Sequence, residues 1–186
     1  GYQPQAIMDY WVAAGVKEAD ITLSWQNLEA VNRTLVEPEA KRLFWVPEPV
    51  ELVLDAPQPL EKRAPFHPDR DEMGERRETV APSATVSLPA ADVQKLAEGD
   101  LLRLKNLCNC RLCDGRLEHA GDNPVRGVPI VQWCAAGAPL QLLRPNGSLT
   151  DGIAEPAAAE LEGEVVQFER VGFVRLERGQ ALFLHR

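Results

Sequence analysis

Residues 164–177 read EVVQFERVGFVRLE. Valine, phenylalanine and leucine dominate, so the stretch reads as β-structure. Val166 and Phe168 share one face, and Gln167 points the other way. Past Gly172 the parity changes: Val171 and Phe173 fall on the opposite phase, and Val174 and Leu176 return to the first. A phase shift at a glycine predicts a bulge, and a bulge would bring Arg170 round to the face of Gln167. An amide and a guanidinium on one strand face are good hydrogen-bonding readers of base edges. Taken alone, the competing reading of a strand end with polar decoration is the stronger.

The rest of the chain extends the β reading. VELVLDA (50–56), TVSL (85–88), DLLRLKNL (100–107), VPIVQW (128–133), PLQLL (139–143) and ALFLH (181–185) are short apolar runs between prolines and glycines. That punctuation is the pattern of a barrel or sandwich. Only the first 44 residues and AADVQKLA (90–97) carry helical signals. PQAIMDYWVAA (4–14) has Pro4 in a first-turn position and Gly15 as a stop. Ser24 is placed to cap WQNLEAVNRTLV, with Trp25, Leu28, Val31 and Leu35 as its apolar stripe, and Pro38 opens a last short turn through Phe44. The stretch 57–82 is rich in proline and charge and reads as a long exposed connection.

Composition narrows the function classes. The chain has 186 residues, 45% of them apolar and 26% charged, a globular balance. It contains no apolar run long enough to span a bilayer and no signal-peptide pattern. Its first residue is Gly1, which leads us to expect a processed chain or a piece of a longer one. The net charge of −8 argues against a broad nucleic-acid surface. The charge is uneven, however. Residues 95–126 hold Lys95, Arg103, Lys105, Arg111, Arg116 and Arg126 against five acids, while residues 146–169 hold six acids and no cation. A confined basic face on an acidic body fits these numbers. On DLLRLKNL, Arg103 and Lys105 share a strand face, where an anionic partner would relieve their mutual repulsion; a solvated face is the equal alternative.

Catalytic patterns are absent from the sequence. There is no phosphate-binding glycine loop, and His67, His119 and His185 are scattered. Cys108, Cys110 and Cys113 form C-x-C-x₂-C, with Cys134 or His119 as a fourth ligand if zinc were bound. Structural zinc prefers two paired knuckles, so small buried thiols are the preferred reading and no metal ligand is assigned.

Five stretches taken together resemble one family. They are RLFWVPEPVELVL (42–54), HPDRDEMGERR (67–77), EGDLLRLKNLCN (98–109), GVPIVQW (127–133) and VVQFERVGFVRLE (165–177). They occur in the order seen in the C-terminal half of archaeal and eukaryotic-type glutamyl-tRNA synthetases, whose close relatives are the glutaminyl-tRNA synthetases. LSWQNLEAVNRTLVEPEAKR (23–42) resembles the helical segment joining the catalytic domain to the anticodon-binding part, and NRTLVEP and KRLFWV lean to the glutamyl branch. The HIGH and KMSKS-type signatures of the catalytic domain are not in this sequence, and the cysteine cluster is not part of the family pattern.

The resemblance implies a mainly β fold: two β-barrels of a type shared with ribosomal proteins, preceded by a short α-helical segment. Residues 1–41 would join a catalytic domain. The barrel nearer to it would be built from about 42–95 and 155–186, and the other from about 96–154. It further implies tRNA-Glu as partner, with tRNA-Gln as the open alternative, no DNA and no membrane. The location implied is cytoplasmic. The parent would be a class I glutamate–tRNA ligase using ATP and Mg²⁺, whereas this piece would hold no cofactor and be inactive alone. A glutaminyl-tRNA synthetase piece and another RNA-binding barrel are the alternatives. Carried over by position, the tRNA-binding residues would be Arg42, Lys95, Arg103, Lys105, Gln167 and Arg170, with Gln167 and Arg170 on the middle anticodon base. Arg126, ahead of GVPIVQW, is added on its placement. Lys105 stands where the glutaminyl relative has arginine, which removes the bidentate fork there.

Overall fold

The structure, a computed structural model, describes residues 1–15 and 22–186. Two helices come first: α1 (Pro4–Ala14) and α2 (Trp25–Val36). Pro4 sits in the first turn of α1, and Gly15, at φ 69°, ends it. The Ser24 side chain accepts from the Asn27 N–H and caps α2. The strands follow as β1 (Arg42–Leu43), β2 (Trp45–Pro47), β3 (Pro49–Asp55), β4 (Leu60–Pro65), β5 (Glu75–Val80) and β6 (Ala84–Pro89). A four-residue helix, α3 (Ala90–Val93), precedes β7 (Leu101–Leu104), β8 (Asn109–Cys113), β9 (Arg116–His119), β10 (Ile130–Val131), β11 (Ala138–Pro139), β12 (Gln141–Leu143) and β13 (Leu149–Thr150). The chain closes with β14 (Gly152–Ala154), β15 (Val165–Phe168), β16 (Gly172–Glu177) and β17 (Gln180–His185).

Two curled six-stranded sheets organise these strands. One runs β10-β7-β8-β9-β3-β6. Its two edges meet where Ser87, within β6, and Cys134, just past β10, exchange backbone hydrogen bonds at 2.7 and 3.1 Å. Leu54, Val86, Leu88, Leu102, Leu104, Leu117, Val131 and Trp133 fill the interior. The other runs β1-β15-β16-β17-β12-β13. Its edges also approach each other, because β2 continues from β1, β14 follows β13, and β2 pairs with β14. Leu142, Val166, Phe168, Val174, Leu176 and Ala181 fill that core. The fold is therefore mainly β and barrel-like, behind a short helical segment, as expected.

Between the barrels, residues 43–46 are buried on both faces. Alternation along a strand sends successive side chains to opposite sides. Here Leu43 and Trp45 enter one core, while Phe44 and Val46 enter the other. Trp45 lies flat against Phe168, ring centroids 5.7 Å apart, and its indole N–H donates to the Leu140 carbonyl at 2.9 Å. This is why RLFWV is a near-continuous apolar run rather than an alternating one.

Several expectations need correction. Residues 57–82 are not a loose connection: β4 and β5 form an antiparallel hairpin with Leu60 opposite Val80 and Pro65 opposite Glu75. Its inward residues include Lys62, Arg76 and Glu78, so an apolar-only pattern search passes over it. Residues 164–173 are not one strand. β15 and β16 are joined by a tight turn over 169–171, closed by Val171 N–H to Phe168 O at 3.0 Å, with Arg170 at φ 65°. The parity change is thus a hairpin, and the one register shift lies beyond Gly172, between Phe173 and Val174. On α2 the buried residues are Leu28, Asn32 and Val36, and Trp25 is exposed. Asn32 is inside because its amide meets His185 Nε2 at 2.8 Å, which fastens the helices to the second barrel. The turn after α2 ends by residue 39, and Phe44 lies within the buried strand segment. Sheet pairing also separates the cores at other places than residues 95 and 155. β3 and β6 join β7–β10, while β12 and β13 join β15–β17. Among the described residues no helix is long and apolar enough to cross a membrane.

Candidate nucleic-acid interface

The seam between the barrels collects the charged residues. Its floor is a buried ionic cluster. Glu155, 2% exposed, accepts from the Phe44 backbone N–H at 2.6 Å and from Lys62 Nζ at 2.7 Å, and it also pairs with Arg76. Lys62 reaches Glu78 at 3.4 Å and lies 4.5 Å from the Phe44 ring centroid. Arg76 donates to the Arg42 carbonyl and approaches Glu169 at 3.9 Å. Burying ions this deeply is tolerable only when each is paired. The β4–β5 hairpin brings Lys62, Arg76 and Glu78 to Glu155, on the turn after β14.

Above this floor lie the sequence-predicted residues. Arg42 on β1 is in parallel register with Gln167 on β15, so the two side chains occupy one sheet face as neighbours. The same cross-strand row continues through Phe173 to His185. Helix α2 covers the far end of the row, through Asn32 on His185 and Val36 packed with Phe173. Gln167 and Arg42 are half-buried at the near end. Arg42 also lines a cleft of about 360 Å³ with Thr34, Pro38, His67, Asp69 and Arg70. Two N–H donors of this cleft lack acceptors among the described residues, Arg42 Nε and His67 Nε2. His67 Nδ1 accepts from the Asp69 N–H at 3.2 Å, which places the neutral ring's proton on Nε2.

Arg170 does not join the face of Gln167 through a bulge. It projects from the hairpin tip, in the left-handed conformation, toward α3 of the other barrel. There its two terminal nitrogens grip Asp92 as a fork, at 2.6 and 3.1 Å. Lys95 Nζ lies 3.6 Å from the same carboxylate. Two candidates 75 positions apart in sequence thus converge on one acid that sequence reasoning did not single out. The hydrogen bond from Arg170 holds the Asp92 carboxyl below the usual carboxylate range, and Asp92 raises Arg170 in turn. Glu169, next to Arg170, pairs across the seam with Lys105, whose Nζ is 5.8 Å from the Phe44 ring centroid. The Lys105 carbonyl accepts from the Trp133 indole at 3.0 Å.

Two expected residues stand apart. The Arg103 guanidinium donates to Asn109 Oδ1 at 2.9 Å and to the Asp122 carbonyl at 3.0 Å, so it is held by its own barrel while Lys105 turns to the other. Arg126 is exposed in the loop before β10. The cysteines are dispersed in role. Cys108 and Cys110 lie buried with sulfurs 3.5 Å apart, Cys113 is at the end of β8, and burial pushes the Cys134 thiol up to about 12. Among the described residues no three His, Cys, Asp or Glu side chains gather as metal ligands. The sequence signals for the missed residues were the charged triplets EKR (61–63) and RRE (76–78) and the acid inside QFER; each reads as surface until its partner is known.

Two curled sheets with charged residues gathered at their seam define a β-barrel-like module. Comparison with known proteins makes the class specific. The profile described as tRNA synthetases class I (E and Q), anti-codon binding domain, matches residues 40–127, and a second profile of the same description matches residues 130–177. The chain belongs to this anticodon-binding family of class I synthetases. Among its relatives is the glutamate–tRNA ligase of Methanoculleus marisnigri, 38% identical over 201 residues, covering 100% of this chain and 35% of the relative. The glutamate–tRNA ligase of Thermoplasma volcanium is 34% identical over 94% of the chain and 31% of its own length. That of Pyrococcus furiosus is 33% identical over 96% and 33%. The chain therefore spans about a third of the length of these relatives.

Proposed function

We propose that this chain binds the anticodon loop of tRNA-Glu and supplies anticodon identity to a glutamate–tRNA ligase. The observation that carries this reading is the seam: Arg42 and Gln167 adjoin on one sheet face, Arg170 on the same barrel's hairpin tip meets Asp92 and Lys95 of the other barrel, and Lys105 of that other barrel meets Glu169. Sequence-specific RNA recognition targets unstacked loop bases through their edges. Gln167 supplies an amide with both donor and acceptor, and Arg170 a planar fork, the two groups suited to reading a base edge. Arg42 contributes donors in the adjoining cleft. Lys95, Lys105, Arg103 and Arg126 act on phosphates, adding affinity and salt dependence with little specificity. The match to glutamate–tRNA ligases across the whole chain favours the glutamyl over the glutaminyl reading.

In the full ligase, ATP and Mg²⁺ would serve glutamate activation elsewhere, and this third of the protein would not catalyse alone. Such an enzyme works in the cytoplasm, where its tRNA is found. The test is direct. Gln167→Ala and Arg170→Ala should each weaken binding to a tRNA-Glu transcript and flatten the preference over a transcript with a changed middle anticodon base, by roughly 5–150-fold for a lost base-edge contact. Unchanged affinity and unchanged preference in both variants would remove these residues from the interface.

A further inference from the structure

We propose that Asp92 is the positioning residue for Arg170: it holds the arginine's fork in the orientation that reads the RNA base. The inference rests on Arg170 acting as a base reader, as argued above. Arg170 sits at a hairpin tip with its side chain 51% exposed, and such a long side chain would ordinarily sample many rotamers in the free protein. Freezing it on binding would lower affinity by on the order of 2–10-fold. Here the freezing is done in advance. Asp92 is only 12% exposed and takes one N–H from each terminal nitrogen. That end-on grip leaves the Nε–H and one N–H beside it free as donors, held in a fixed direction for a base acceptor.

Asp92 is itself anchored. It lies on α3, whose first N–H donates to the Glu48 carbonyl at 3.1 Å, so the acid moves with the first barrel while Arg170 belongs to the second. Lys95 flanks the same carboxylate, which leaves the trio with a net positive charge facing the ligand. A plain ion pair that only locks the barrels together is the competing account, and it makes a different prediction. Loss of a lock would weaken binding to every RNA alike; loss of a positioning group would reduce discrimination.

The experiment titrates the chain with two RNA stem–loops, one carrying a glutamate anticodon and one with its middle base changed. Asp92→Asn should reduce the ratio of the two affinities by roughly 2–10-fold and leave the salt slope unchanged. Arg170→Ala should reduce the ratio further, and the double variant should be no worse than Arg170→Ala alone. An unaltered ratio in Asp92→Asn, beside a reduced one in Arg170→Ala, overturns the positioning role but keeps the reader. A tighter grip on both RNAs would make Asp92 a competitor for the guanidinium and overturn it too. If Arg170→Ala leaves the ratio intact, the reader assignment falls and the positioning role with it. Should Asp92→Asn melt early, Arg170→Lys, which keeps the charge and loses the fork, must show the same reduced ratio; an intact ratio there is equally fatal.

Discussion

Glu155 shows how much one side chain can decide. Its carboxylate is almost fully buried, and three groups depend on it: the Phe44 N–H, Lys62 and Arg76. Removing it would leave two buried cations with only their longer pairs, Lys62 to Glu78 at 3.4 Å and Arg76 to Glu169 at 3.9 Å. Glu155→Ala should therefore cost about 3–5 kcal/mol in unfolding free energy, measured by urea titration. The exposed Arg33–Glu37 pair on α2 offers the contrast, since Arg33→Ala should cost less than about 1 kcal/mol. A Glu155→Ala loss as small as the Arg33→Ala loss would mean that water enters the seam. None of this was legible beforehand. Lys62, Arg76 and Glu155 carry no mark in sequence that separates a paired, buried ion from a solvated one; the pairs span 79 and 93 positions. Gln167 and Arg42 were legible as site candidates, and their adjacency was not, because parallel pairing of β1 with β15 joins the two ends of the chain.

At the scale of elements, the β15–β16 hairpin sets the geometry of the site. Its two-sided role follows from the turn at 169–171, which sends Glu169 to Lys105 and Arg170 to Asp92. Gly172 makes the turn workable. Its φ is 140°, and a Cβ there would sit 2.4 Å from the His185 carbonyl oxygen. Gly172→Ala should destabilise the chain by about 1–3 kcal/mol and lower its melting temperature by several degrees. A melting temperature equal to that of the unsubstituted chain would contradict the close packing of β16 on β17. The sequence revealed that something breaks at this glycine. It could not distinguish a bulge within one strand from a turn between two, since both reverse the parity of apolar residues. The helices were easier to place, because Pro4, Gly15 and Ser24 are local signals that act within one turn of chain. The inward face of α2 was harder. Asn32 replaces an apolar residue there for the sake of His185, which lies 153 positions away.

For the whole molecule, the decisive feature is that two barrels share the strand segment 43–46, whose alternate side chains fill both cores. The β character and the helical preface were readable from turn punctuation and period. The division between the cores was not, because it depends on which distant strands pair. The same arrangement brings Arg42, Lys95, Lys105 and Arg170 to the place where the barrels meet, together with the acids Asp92 and Glu169 that pair with the last three. The account's central claim is that this seam reads an anticodon rather than attracting any polyanion. The measurement that tests it most directly is titration of the chain with tRNA-Glu transcripts, unaltered and with the middle anticodon base changed, at two salt concentrations. The account predicts tighter binding to the unaltered transcript, with a preference that persists as salt weakens both. Equal affinities that fall together with salt would contradict it and leave only a non-specific phosphate-binding surface.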